Sequence, residues 1–262
     1  MSDIKLSKST TVTLRYFIEL SYNGKAYHGW QNQPNAISVQ QVIEHALSTL
    51  LRTSIRIMGA GRTDAGVHAS QMYAHFDVDE PVDVEILIFK INWFLPHDIA
   101  IHRIFRVKDK AHARFNALSR TYNYRISNTK NVFTHDFAYK IHLSLDLDKM
   151  NEACTILLQY KDFQCFSKSN TDVKTYYCDI KEARWVLNGT ELTFIITADR
   201  FLRNMVRAIV GTMVNIGLGK MEVAQLHDII KSKNRGEAGF SVPAQGLYLT
   251  NIQYPNTIYN VE

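Results

Sequence analysis

The sequence predicts an α+β fold in which two halves, residues 1–110 and 111–262, share one extended, mostly antiparallel sheet. Three observations carry this expectation. Strand and helix patterns follow one another without the strict alternation that a parallel sheet of βαβ units requires. From Arg114 onward the pattern of elements restarts, so two halves of similar content stand side by side without a sequence repeat. The chain of 262 residues, 46% hydrophobic, 11% aromatic and 21% charged, is long and apolar enough to give each half a core.

Residues 1–10 are polar and read as a loose tail. Val12 to Leu20 follows as the first strand, with Leu14, Tyr16, Ile18 and Leu20 alternating onto one face. At Ser38 a helix begins, because Val39, Val42, Ile43, Ala46, Leu47, Leu50 and Leu51 keep the i, i+3, i+4 rhythm and Ser38 with Gln41 has the form of a capping box. A short strand at Ile55 to Met58 enters a glycine-rich loop, and Gln71 to Val78 reads as the returning strand. A mixed apolar helix spans Asp83 to Leu95 and is stopped by Pro96, after which Ile99 to Val107 closes the first half as a strand. In the second half, Ser119 to Ser127 is a strand with Tyr122, Tyr124 and Ile126 on one face and Thr121, Asn123 and Arg125 on the other. A helix over 147–159, two strands over 178–198, helices over 201–216 and 222–231, and a strand over 247–254 complete the chain.

The formal net charge of +5 suits a polyanionic partner but decides little until the charge is located. Between Arg103 and Arg125 lie seven basic residues, Arg103, Arg106, Lys108, Lys110, Arg114, Arg120 and Arg125, against the single acid Asp109. Phe105, Phe115, Tyr122 and Tyr124 are interleaved with them, and rings beside cations suit unstacked bases and phosphates; a solvated basic surface is the plainer alternative. Arg203 and Arg207 share a helix face one turn apart beside an apolar stripe. A half-buried guanidinium there needs an anion, either a carboxylate of the protein or a phosphate of a ligand.

Other chemistries find little support. Cys154, Cys165 and Cys178 are odd in number and widely spaced, which predicts reduced structural thiols, and the ten histidines form no metal-ligand pattern. No apolar leader follows Met1, and the longest uncharged apolar stretch, Ala208 to Gly219, is too short to span a bilayer, so a cytoplasmic protein without a membrane partner is expected. Gly59-Ala60-Gly61 after a strand invites a dinucleotide-binding reading, but Gly66 falls five residues after Gly61 where three are needed, and Val67 to His75 holds no crossover helix. A phosphate-binding P-loop fails for want of Gly-Lys-Ser/Thr, so no nucleotide cofactor is expected. Taken alone, Asp64 in this loop would be an ordinary turn residue.

Its surroundings are not ordinary. The run Gly61-Arg62-Thr63-Asp64-Ala65-Gly66-Val67-His68-Ala69 resembles, at all nine positions, the loop of the tRNA pseudouridine synthase A family. The resemblance continues in Tyr22-Asn23-Gly24, Tyr27-His28-Gly29-Trp30-Gln31, Leu95-Pro96-His97-Asp98-Ile99 and His112-Ala113-Arg114-Phe115-Asn116-Ala117. It extends through Arg120-Thr121-Tyr122-Asn123-Tyr124, Phe201-Leu202-Arg203-Asn204-Met205-Val206-Arg207 and Pro243-Ala244-Gln245-Gly246-Leu247, covering residues 12 to 254. A departure is Lys161-Asp162-Phe163, where the family has His-Asp-Phe.

This resemblance implies a pseudouridine synthase fold with a central active-site cleft and the isomerisation of uridine to pseudouridine at positions 38, 39 and/or 40 of tRNA. It implies no cofactor and no metal, tRNA as partner, and a homodimer. Asp64 would be the nucleophile, attacking either C6 of the base or C1' of the sugar. Arg207 would pair with that carboxylate and orient it. Tyr122 would stack on the target base, Leu247 would pack near it, and Arg62 would enter the space the extruded base leaves. For Tyr122 and Leu247 the plain alternative is a core side chain, and for Arg62 a surface arginine. Arg114, Arg120 and Arg203 would contact the RNA backbone. A different class of function, a tRNA-binding or tRNA-folding protein without catalysis, has the same basic segment but no use for Asp64, Tyr122 and Arg207 together.

Overall fold

A computed structural model describes residues 13–168 and 173–259. The tail expected over 1–10, and Val12, lie outside the described residues. β1 (Leu14–Tyr22), β2 (Met58–Gly59), β3 (His68–Val78), β4 (Ile99–Arg106), β5 (Ser119–Ser127), β6 (Tyr139–Lys140), β7 (Ile180–Asn188), β8 (Glu191–Ala198) and β9 (Leu247–Gln253) form one sheet. Its order is β4-β1-β3-β9-β5-β8-β7, with β2 on β3 and β6 on β5. The sheet is mostly antiparallel, as the sequence predicts; β3 and β9 pair in parallel through His68↔Tyr248 and Ala69↔Leu249, and β5 and β6 do likewise. Thus the last strand of the chain is the joint between the strands of the first half and those of the second.

The helices are α1 (Val39–Leu51), α2 (Val84–Phe94), α3 (Leu147–Leu157), α4 (Met205–Gly217) and α5 (Gln225–Ser232). Three start where an oxygen accepts from an otherwise orphaned amide: Ser38 from Gln41 N at 3.1 Å, Asp83 from Ile86 N at 3.0 Å and Asp146 from Lys149 N at 3.0 Å. α2 packs on β4 and α1 through Leu87 and Ile91, while Ile86, Phe89 and Trp93 face outward. α3 packs on β7 and α4, and α4 is buried over nearly its whole length.

Local departures from the expected elements have local causes. The strand expected over Ile55 to Met58 shrinks to Met58–Gly59 because side chains of α1 take its backbone groups: Ser48 Oγ accepts from Ile55 N (2.9 Å), Glu44 Oε1 accepts from Ile57 N (3.0 Å), and Gln40 Nε2 donates to Ile57 O (2.9 Å). The helix expected from residue 201 begins at Met205, since Asn204 sits in the left-handed region at φ 66. β3 begins at His68, three residues before the expected Gln71, so the glycine loop is shorter than it reads. β6 is an element that the sequence does not announce. The three cysteines are free and buried, and burial pushes each thiol up to about 12. Among the described residues no helix is long and apolar enough to cross a membrane.

Candidate active site

Asp64 stands in the loop between β2 and β3, beside the parallel pairing of β3 with β9. Its carboxylate is met from both sides by arginines near the start of α4: Arg207 Nη1 lies 3.5 Å from one oxygen and Arg203 Nε 3.6 Å from the other. Arg207 is held by its own Nε, which donates to Val242 O at 2.7 Å, and its side chain is only 20% exposed. Arg203 is 60% exposed. Arg15 behaves differently, gripping Asp77 with two hydrogen bonds of 2.7 Å. Asp77 is spent on that fork. The Asp64 carboxylate is charge-compensated at longer range and accepts no hydrogen bond among the described residues, which leaves its oxygens free to react.

Tyr122 lies on the face of β5 that carries Tyr124 and Ile126. It packs edge-on to Phe201 with ring centroids 5.2 Å apart, and burial pushes its hydroxyl up to about 12, with Arg120 opposing and Asp64 adding to the rise. Leu247 opposite Tyr124 and Leu249 opposite Tyr122 continue that face onto β9. Both leucines are buried. Arg62 is exposed and makes no ion pair or hydrogen bond among the described residues. The fold therefore brings Asp64, Arg203 and Arg207 into contact, sets Tyr122 close enough for Asp64 to bear on its hydroxyl, and leaves Arg62 at the rim.

The segment from Tyr22 to Trp30, to which sequence reasoning gives no role beyond matching the family, wraps the Asp64 loop. Tyr22 Oη and Thr63 Oγ1 share a hydrogen bond of 2.9 Å, Trp30 N donates to Thr63 O at 3.3 Å, and Gly66 N donates to Tyr27 O at 3.3 Å. Gly29 takes φ +88, and a Cβ there would run into Thr63 O; a Cβ on Gly59 would strike the Trp30 ring. Only the recurrence of Gly and aromatic residues across 22–31 hints at this packing.

The basic segment is mostly engaged within the protein. Arg103 meets Glu19 at 3.6 Å, Arg106 meets Asp109 at 2.7 Å, and Arg125 meets Glu191 at 3.7 Å. Arg120, expected on the RNA backbone, instead donates to three carbonyls: Asp199 O at 2.8 Å, Ala60 O at 2.8 Å and Arg114 O at 2.7 Å. In this structure the Arg120 guanidinium is turned toward those carbonyl oxygens, of which that of Ala60 belongs to a buried residue. Arg114 stays exposed, its guanidinium 5.6 Å from the Phe115 ring, and Lys108 and Lys110 are exposed as well.

Residues 153–255 match the sequence family described as tRNA pseudouridine synthase. The chain is 51% identical over 249 residues to the tRNA pseudouridine synthase A of Parabacteroides distasonis, covering 95% of this chain and 99% of that protein. It is 52% identical over 248 residues to the protein of the same name from Bacteroides fragilis, covering 94% and 98%. At a greater distance, the identity to that of Thermoanaerobacter pseudethanolicus is 36% over 239 residues, covering 90% and 98%.

Proposed function

The chain belongs to the tRNA pseudouridine synthase A family, and on that premise we propose that it isomerises uridine at positions 38, 39 and/or 40 in the anticodon arm of tRNA with Asp64 as nucleophile. The observation that carries this reading is the carboxylate of Asp64 held between Arg203 and Arg207 without a short hydrogen bond. The reaction breaks the N1–C1' bond, forms a C5–C1' bond, removes the proton from C5 and leaves one on N1, so no oxidant or other co-reactant enters the balance. Asp64 adds to C6 or to C1' to detach the base, and Tyr122 with Leu247 keeps the detached uracil stacked until it has turned. Arg62 fills the gap in the RNA, its planar cation suiting both stacking and phosphate contact. Arg114 and Arg203 serve the backbone, and Arg120 braces the site. The proposal also takes in the division into an Asp64-bearing half, 1–110, and a half, 111–262, that supplies Tyr122 and Arg207. It includes a homodimer, which a monomer in sedimentation at micromolar concentration would exclude.

The test is tritium release from C5-labelled uridine in an anticodon-arm transcript. Asp64→Asn is expected to lower the release rate by on the order of a thousandfold or more while RNA affinity stays within about threefold. Release by Asp64→Asn at the wild-type rate ends the nucleophile assignment. A wild-type protein that binds tRNA and releases no label would instead favour the non-catalytic reading.

A further inference from the structure

Beside the catalytic cleft, the segment between β5 and β6 folds over a second cavity of about 280 Å3 whose walls include Ser127, Lys130, Asn131, His135, Lys140 and Gln245. Three ties hold this segment to the elements that hold the Asp64 loop. Asp136 meets Lys25 at 2.7 Å, Tyr248 Oη donates to Phe137 O at 2.8 Å, and the Phe137 ring lies 5.5 Å from that of His68. The short run 242–247 borders both places. Val242 O fixes Arg207 and the Ala244 methyl stands where a Cβ on Gly66 would meet it, while Gln245 Nε2 reaches the cavity wall at His135 O (3.3 Å). This run therefore connects the Asp64 site with the cavity.

The charge there is unspent. Among the described residues neither Lys130 nor Lys140 meets a carboxylate, and both are exposed. The acids that neighbour them are occupied: Asp136 by Lys25 and His135, and Glu191, which stands opposite Ser127 in the sheet, by Arg125. Two free ammonium groups on the rim of a cavity walled by hydroxyl and amide groups suit a phosphodiester, which offers a compact charge and several acceptors.

We propose that this cavity is an accessory RNA subsite in which Lys130 and Lys140 take a backbone phosphate of the tRNA next to the nucleotide engaged by Asp64. It rests on the reading of the chain as a tRNA uridine isomerase and extends that reading to a place outside the catalytic cleft. Neither lysine touches the catalytic groups, so their removal acts on binding and not on the chemical step.

The experiment measures the affinity of the full chain for an unmodified tRNA transcript over a range of monovalent salt, together with tritium release at saturating RNA. Lys130→Ala combined with Lys140→Ala is expected to reduce the slope of log affinity against log salt by about 0.7 to 0.9, the contribution of the one phosphate that the pair neutralises. The release rate at saturation stays at the wild-type value, and Lys130→Arg combined with Lys140→Arg keeps the wild-type slope. An unchanged slope in the alanine pair overturns the subsite, as does a fall in release at saturation with the slope intact. A reduced slope in a protein whose wild type releases no label upholds the subsite as an RNA site and removes the catalytic reading, so the two failures are told apart.

Discussion

Arg120 and Arg207 carry the same guanidinium to opposite ends. Arg207 puts one nitrogen toward the Asp64 carboxylate and another on a carbonyl, so it compensates the charge of the proposed nucleophile. Arg120 meets no carboxylate among the described residues; burial pushes its guanidinium below the ordinary arginine range, and its donors tie together Ala60 in the Asp64 loop, Arg114 in the segment before β5 and Asp199 beyond β8. It acts as a brace. Arg120→Met would leave three carbonyls without their charged donor, at a cost of roughly 2–4 kcal/mol read by urea unfolding. The salt slope of tRNA binding should stay at the wild-type value in that variant, because the donors of Arg120 are engaged by carbonyls of the protein. A slope reduced by about 0.7 to 0.9 with stability intact would return Arg120 to the RNA interface. Asp64 stands out in the sequence because it lies in a contiguous run of nine residues that resembles the family loop, and the structure sets it between Arg203 and Arg207. The role of Arg120 does not stand out, because a guanidinium takes whatever acceptor the fold brings to it, and Ala60, Arg114 and Asp199 meet only after folding.

Among the elements, those set by local chemistry are the ones the sequence announces. β5 runs from Ser119 to Ser127 as its alternation predicts, and α1 starts at the Ser38 cap. The segment Ile55 to Met58 misleads because Ile55 and Ile57 are indeed buried while their amides bond to side chains of α1 and not to a neighbouring strand. The wrapping of Tyr22 to Trp30 around the Asp64 loop is likewise a meeting of elements, invisible until both are placed. In Gly29→Ala the methyl would meet the Thr63 carbonyl at a backbone angle that L residues occupy at a cost of about 1–3 kcal/mol. The shift needed to relieve it moves the residue just before Asp64, and a displacement of about 1 Å at a reacting group is worth about a hundredfold in rate. Release of C5 tritium at saturating RNA should therefore fall by about that factor with the circular dichroism spectrum unchanged. Full activity in Gly29→Ala would show that the wrap is scaffolding without influence on the carboxylate.

At the scale of the whole molecule, the order of strands is what the sequence withholds. β9 lies between β3 and β5 because pairing across the chain is decided by packing and not by adjacency. The two halves are joined away from that pairing as well, where His75 of β3 accepts at Nδ1 from Ala113 N at 3.2 Å. Burial, then the Arg15 guanidinium and then His112, hold the His75 imidazole down at about 4, with Asp77 opposing. In the unfolded chain the same group titrates near 6.5. Between those values the unfolded state binds the extra proton, so stability is present in full above about 6.5 and is lost as pH falls toward 4. The loss attributable to His75 is at most about 3 kcal/mol. Asp77, whose carboxyl is held below its ordinary value by Arg15, loses its contribution only at lower pH, beneath that window. Urea midpoints of the wild type should thus fall between pH 6.5 and 4, and His75→Gln, which keeps an acceptor for Ala113 N but does not titrate, should flatten the decline. His68 and His112, also held below their ordinary value by burial, leave the variant a residual slope. If His75→Gln follows the wild-type curve across the window, the acid sensitivity of the fold lies elsewhere and the bond between the halves is not its source.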